Sequence, residues 1–283
     1  MADGAYRWLG NAPEPEATRV AEIEAGWDEA EAGAFAEPAR TAVVERVDRT
    51  LIAVRTGDLA SAAERLDEVR AVLTGLSPDA LEPRGGLAGL FDSRAKRLKR
   101  FRENWRGAVA DLTDAASGLS ERVADADRRS AALDGAWVEV RDAVGELDAH
   151  LAVASSRLKG AALTEDAGAH PLKARSTALN ACRAAALQTL SLIRVAQNAD
   201  ARAAGSLKAC LDEVTIWRDD WQDALGLAGK RPRKVRPDPE RLVRSRDALL
   251  ARTDRGLAEL ATARARRAEV EGRMAELRAH FQG

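Results

Sequence analysis

A stripe of leucine, valine, alanine and tryptophan recurs at alternating steps of three and four residues from Leu98 to Ala161. Its members include Trp105, Val109, Leu112, Ala116, Leu119, Val123, Ala126, Leu133, Trp137, Val140, Val144, Leu147, Leu151, Ala154 and Leu158. Arg102 and Ser130 are its polar interruptions. A 3.5-residue repeat held over such a length keeps one narrow face turned toward a partner helix, as in a coiled coil. Almost no stretch alternates at period two with β-branched residues, so strands are not expected. The predicted fold class is all-α: an elongated helical bundle with a long antiparallel coiled-coil hairpin, preceded by a small N-terminal helical bundle.

Turn and cap residues divide the chain around this seam. Residues 1–14 read as a tail, and 15–75 as short helices over about 15–32, 38–55 and 58–74, with Pro15 and Pro38 suited to first turns and Asp58 to an N-cap. Their apolar faces (Ile23 with Trp27; Val43, Val47, Leu51 and Val54; Leu59, Leu66, Val69 and Leu73) fit a small bundle. Pro78, Pro83, Gly85 and Gly86 mark 76–91 as a linker. The hairpin is expected over 92–226. Its first helix starts at Asp92 or Ser93, its turn holds Asp166, Gly168 and Pro171, and four interior glycines (107, 118, 135 and 145) are candidate bends. The second helix has its own seam: Leu172, Leu179, Ala186, Leu190, Ile193, Ala204, Leu207, Leu211, Val214, Trp221 and Leu225. A basic linker over 227–239 precedes a last helix over 240–283, with a weaker seam through Leu242, Leu249, Leu260, Val270, Met274, Leu277 and Phe281.

Composition narrows the function classes. The chain is 46% hydrophobic but only 4% aromatic, which suits packed helices better than a thick globular core. Lys and Arg number 44 against 45 Asp and Glu, so the molecule as a whole is no polyanion binder and local clusters decide. No apolar run reaches the length of a transmembrane helix, and the N-terminus lacks the layout of a secretory signal, so a cytoplasmic location is expected. Cys182 and Cys210 fall in one predicted helix, 28 residues apart, which at ~1.5 Å rise puts them roughly 40 Å from each other, too far to pair. His150, His170 and His280 are scattered, no Cys pair has zinc spacing, and no Gly-rich loop ends in Lys-Ser or Lys-Thr. Neither a catalytic site, a cofactor nor a metal is expected.

Polar residues supply the candidate sites. Arg183, Gln197, Asp200 and Arg218 interrupt the second seam, beside Arg194. Such groups either fix helix register or line a site between helices. Separately, hairpin geometry centred near Asp166 sets residues near Leu98 opposite residues near Lys234. These are the two most basic neighbourhoods, holding Arg94, Lys96, Arg97, Lys99, Arg100, Arg102 and Arg106 in one and Lys230, Arg231, Arg233, Lys234 and Arg236 in the other. Cations at a helix N-terminus oppose the macrodipole, so stability does not account for them. A positive end of this kind attracts phosphate groups of lipids, nucleic acid or an acidic protein. Base-specific nucleic-acid readout is not expected, for want of a recognised motif.

The segment Gln188-Thr189-Leu190-Ser191-Leu192-Ile193-Arg194-Val195-Ala196-Gln197-Asn198, then Thr215-Ile216-Trp217-Arg218 and Ala224-Leu225-Gly226-Leu227, resembles the toxic anion resistance family, the TelA-like tellurite resistance proteins. The similarity spans roughly residues 85–230 and includes the Gly85-to-Phe91 lead-in. Leu192, Ala199-Asp200 and the residue before Trp217 depart from the family pattern, making this a divergent member. The resemblance implies a cytoplasmic helical bacterial protein of stress tolerance with no established reaction. It picks out Arg194, Gln197, Trp217 and Arg218 as candidate buried polar positions. Trp217 and Arg218 lie more than about 25 Å beyond the other two on a straight helix, at ~1.5 Å per residue, so one straight helix cannot gather all four. The expectation is a non-enzyme that binds a protein partner or an anionic membrane surface, with oligomerisation open; the alternative is a structural coiled-coil adaptor whose basic end is incidental.

Overall fold

A computed structural model describes residues 14–55, 59–82, 93–162, 170–229, 231–278 and 281, and among these every regular element is helical. The order is α1 (Ala17–Ala25), a 3-10 turn (Glu29–Ala34), α2 (Glu37–Arg55), α3 (Ala60–Gly75), a second 3-10 turn (Pro78–Leu81), α4 (Arg94–Ala162), α5 (Pro171–Ala224) and α6 (Pro239–Arg278). The first predicted helix is shorter than expected. It stops at Gly26, and Asp28 then caps the 3-10 turn by accepting from the Ala30 amide at 2.9 Å. Helix α4 runs 69 residues without interruption, so none of its interior glycines breaks it. Ser93 is its cap, the hydroxyl accepting from the Lys96 amide at 3.3 Å. Residues 1–13 of the expected tail, the Asp58 cap, the 83–92 lead-in and the hairpin turn at 163–169 lie outside the described residues.

The chain sorts into two compact units, one of residues 1–57, 128–199 and 265–283, the other of 58–127 and 200–264. Of the short helices, α1 and α2 belong to the first unit and α3 to the second. Ile23 of α1, Val43, Val47, Leu51 and Val54 of α2, and Leu66, Val69 and Leu73 of α3 are all buried.

In the first unit Val43, Val47, Leu51 and Val54 of α2 share a core with Leu133, Val140 and Leu147 of α4, Leu179, Leu190 and Ile193 of α5, and Val270 and Met274 of α6. Ile23 of α1 packs beside Ala149 and Val153 of α4. The pairs Asp148–Arg183 and Asp134–Arg194 descend one long helix while ascending the other, so α4 and α5 are antiparallel here.

In the second unit Asp127–Lys208 and the stacked rings of Phe101 and Trp221, 5.9 Å apart, show the same antiparallel order. Helix α6 lies along α5 through Asp220–Arg241 and the Cys210–Thr253 contact at 3.8 Å. Helix α3 completes this four-helix arrangement. A Cβ at Gly256 would stand 2.9 Å from Cδ1 of the wholly buried Leu66, so α6 needs glycine where α3 crosses it closely.

Arginines from neighbouring helices close several helix ends, whose last carbonyls have no partner within the helix. Arg267 donates to the Val54 carbonyl at 2.5 Å at the end of α2. Arg246 donates to Leu76 O at 3.4 Å just beyond α3, and Arg40 to the Phe281 carbonyl. Much of the arginine content thus has a local structural use.

Candidate anion-binding end of the second unit

Helix α5 ends in a Schellman motif. The Leu227 amide donates to Gln222 O at 2.8 Å and the Gly226 amide to Asp223 O at 2.8 Å, with Gly226 at φ +65°. That conformation costs an L-residue roughly 1–2 kcal/mol, which is why glycine stands there. The linker then folds back: the Arg233 amide donates to Gly226 O at 2.8 Å, and the Arg233 guanidinium to Ala228 O at 2.8 Å.

Arg102 of α4 fixes this turn. Its Nε donates to Leu225 O at 2.8 Å, and its Nη2 to Leu225 O at 2.5 Å and Arg233 O at 2.8 Å. Partial burial and neighbouring Arg106 lower its pKa from the ordinary value. The sequence shows Arg102 as a break in the seam; it holds the basic linker onto the basic start of α4. Below it Phe101, Trp105, Trp217 and Trp221 are buried, with Trp217 and Trp221 rings 5.0 Å apart.

Arg94, Lys96, Lys99 and Arg100 on α4, and Arg231, Lys234 and Arg236 on the linker, are all exposed. None of these seven forms an ion pair with another described residue, and Glu103 is the lone acid between 94 and 106. Arg97 is half-buried; Lys230 lies outside the described residues. Helices α2 and α6 place Glu37 and Glu240 in their first turns, as the macrodipole favours. Helix α4 does the opposite, with no acid and three cations in its first four residues. Each such cation costs about 0.3–1 kcal/mol at an exposed helix start.

The four motif positions are not one site. Arg194 and Gln197 lie in the first unit, Trp217 and Arg218 in the second. Arg194 is exposed, not buried as expected: it donates to Asp134 at 2.5 Å and to Gln197 Oε1 at 2.7 Å, and covers the Trp137 ring at 4.7 Å. Buried Gln197 donates to the Ser130 backbone carbonyl at 3.0 Å, so its amide is satisfied across α4 and α5 by main chain at the other seam interruption. Gln197 and then Arg194, by hydrogen bonding, lower the Asp134 pKa from the ordinary carboxyl value. Arg218 is also exposed and pairs with adjacent Asp219 at 3.0 Å, because its position has rotated out of the seam. Trp217 is wholly buried and works as a packing anchor. Arg183, another interruption, is held by the buried Asp148.

Cys182 and Cys210 are buried free thiols, one in each unit. Burial pushes Cys182 up to about 11 and raises Cys210 as well, which disfavours the thiolate needed for metal binding or reduction. Among the described residues no group of three His, Cys, Asp or Glu is placed to hold a metal ion. No helix among them is long and apolar enough to cross a membrane. Comparison with family models, curated proteins and solved structures returns no match.

Proposed function

We propose that this chain is a non-enzymatic helical protein that attaches through the basic end of its second unit to an anionic, phosphate-bearing membrane surface on the cytoplasmic side. One observation carries this reading: exposed cations from α4 and from the linker are held together by Arg102, at a helix start where they weaken the fold. Clustered Lys and Arg gain about 1 kcal/mol each near an anionic leaflet. The motifs similar to the toxic anion resistance family support a role in stress tolerance. Their residues are packing and latching groups here, so the binding chemistry rests on the basic end. The buried, high-pKa thiols favour such a role over direct reduction of tellurite. Co-sedimentation with phosphatidylglycerol-containing and neutral vesicles tests the reading. Binding to the anionic vesicles alone, lost in high salt, supports it; no binding at low salt refutes it.

A further inference from the structure

The linker that carries Arg231, Lys234 and Arg236 is the 14-residue stretch between α5, which ends at Ala224, and α6, which starts at Pro239. A stretch of that length reaches about 45–50 Å when extended, so its two ends alone do not fix its path. Arg102 fixes it. The guanidinium donates to Leu225 O at the start of the linker and to Arg233 O further along. Both acceptors are neutral carbonyls, and Arg102 forms no ion pair with a described residue. Salt that screens exposed charges leaves such a part-buried, short-range contact largely intact.

The latch closes against charge. Lys96, Lys99 and Arg100 stand within about 9 Å of Arg102 along the α4 axis, at ~1.5 Å per residue. Arg231 and Lys234 flank Arg233 closely in the chain, within about 8 Å of it at ~3.8 Å per residue. Both groups are thus about one Debye length from the latch at physiological salt. Joined, they repel each other, and an anionic surface that touches both removes that repulsion.

We infer that Arg102 is a positioning residue for the anionic surface: through Arg233 it makes the α4 and linker cations one bivalent unit, so latch closure and surface binding are coupled. The inference rests on the membrane reading above and names how its site is assembled. Joining two binding groups raises avidity without any new contact, provided the geometry lets both engage. An open linker keeps its charges and no longer presents them together with those of α4. The coupling is reciprocal: whatever factor the latch adds to surface affinity, the bound surface adds to latch closure.

A double-mutant cycle in co-sedimentation with phosphatidylglycerol-containing vesicles tests the inference. R102K keeps the charge and loses the fork, and circular dichroism confirms that each variant is folded at the assay temperature. In the parent, R231Q/K234Q is expected to weaken binding about thirtyfold, about fivefold per cation. In the R102K background the same pair costs less than fivefold, whereas K96Q/K99Q costs the same in both backgrounds. An Arg102 that only stabilises the fold would lower the melting temperature of R102K and leave both costs unchanged. Equal losses from R231Q/K234Q in the two backgrounds therefore overturn the positioning role and leave the membrane reading standing. No binding by the parent overturns both. A second measurement needs no variant: hydrogen exchange of the Arg233 amide, which donates to Gly226 O at 2.8 Å, is expected to slow at least threefold on anionic vesicles and not on neutral ones. An unchanged rate on vesicles that bind the protein overturns the coupling.

Discussion

Gly226→Ala is the sharpest perturbation of the basic end, because one methyl group meets two obstacles. The backbone stands at φ +65°, where an alanine is strained by roughly 1–2 kcal/mol. The new Cβ would also lie 2.8 Å from Val235 Cγ1 and 3.0 Å from Arg233 O, and the second of these is linker backbone. Moving that backbone weakens the Arg233 amide bond to Gly226 O and the Arg102 bond to Arg233 O. Each is worth about 0.5–1.5 kcal/mol net when fully made, and both are weakened and not abolished, so with the strain the combined loss is about 2–4 kcal/mol. At ~2–3 °C per kcal/mol for a chain of this size, the melting temperature followed at 222 nm falls by about 5–10 °C. Hydrogen exchange at the Arg233 amide speeds up in parallel, since its acceptor is displaced. A variant melting within about 1 °C of the parent, with Arg233 still protected, would refute the reasoning that glycine is required there.

Three other predictions follow from the same contacts. Arg102→Met removes three hydrogen bonds to two carbonyls and should cost about 1.5–3 kcal/mol in urea unfolding, with Arg102→Lys recovering less than half because it lacks the fork. Gly145→Ala, at an α4 position where a Cβ meets nothing within 4 Å, should stabilise the chain by about 0.5–1 kcal/mol; a loss would mean that α4 bends there. Glu37 is held down to about 2, by Arg40 first and Arg175 as well, so its ionised form is favoured by folding. Its contribution is present above the ordinary value of 4.5 and is lost as pH falls toward about 2. The carboxylate is 42% exposed, so screening limits this to at most about 1 kcal/mol. Glu37→Gln should flatten the acid limb of the stability profile between those values, and an unchanged limb would contradict the assignment.

The seams made the helices legible. Leu112, Leu119, Leu133 and Leu147 on α4, and Leu179, Leu190 and Trp221 on α5, are all buried where the repeat placed them. The repeat says which face is apolar, not which helix covers it. Hence the assignment of α2 and α3 to different units could not be read from their own sequences. The opposition of the Leu98 and Lys234 neighbourhoods follows from helix rise alone, and the Arg102–Arg233 bond is the contact that opposition requires. Arg218 was misplaced because a 3.6-residue helix drifts against a 3.5-residue count, carrying a nominal seam position toward solvent; Arg194, picked out by the resemblance and not by the seam, is exposed beside the buried seam residue Ile193. The arginine closures at Val54, Leu76 and Leu225 were not legible either, since each joins residues far apart in the chain.

The most direct measurement compares two charge-reversed proteins in vesicle co-sedimentation. One reverses Lys96, Lys99, Arg231 and Lys234 at the basic end; the other reverses Lys159, Lys173, Arg202 and Arg264, exposed cations elsewhere with the same total change in charge. At about 1 kcal/mol per cation near an anionic surface, the first set should weaken binding roughly a thousandfold or more, and the second far less. Equal losses in the two proteins would mean that net charge governs binding, and the claim of a dedicated basic end would fail.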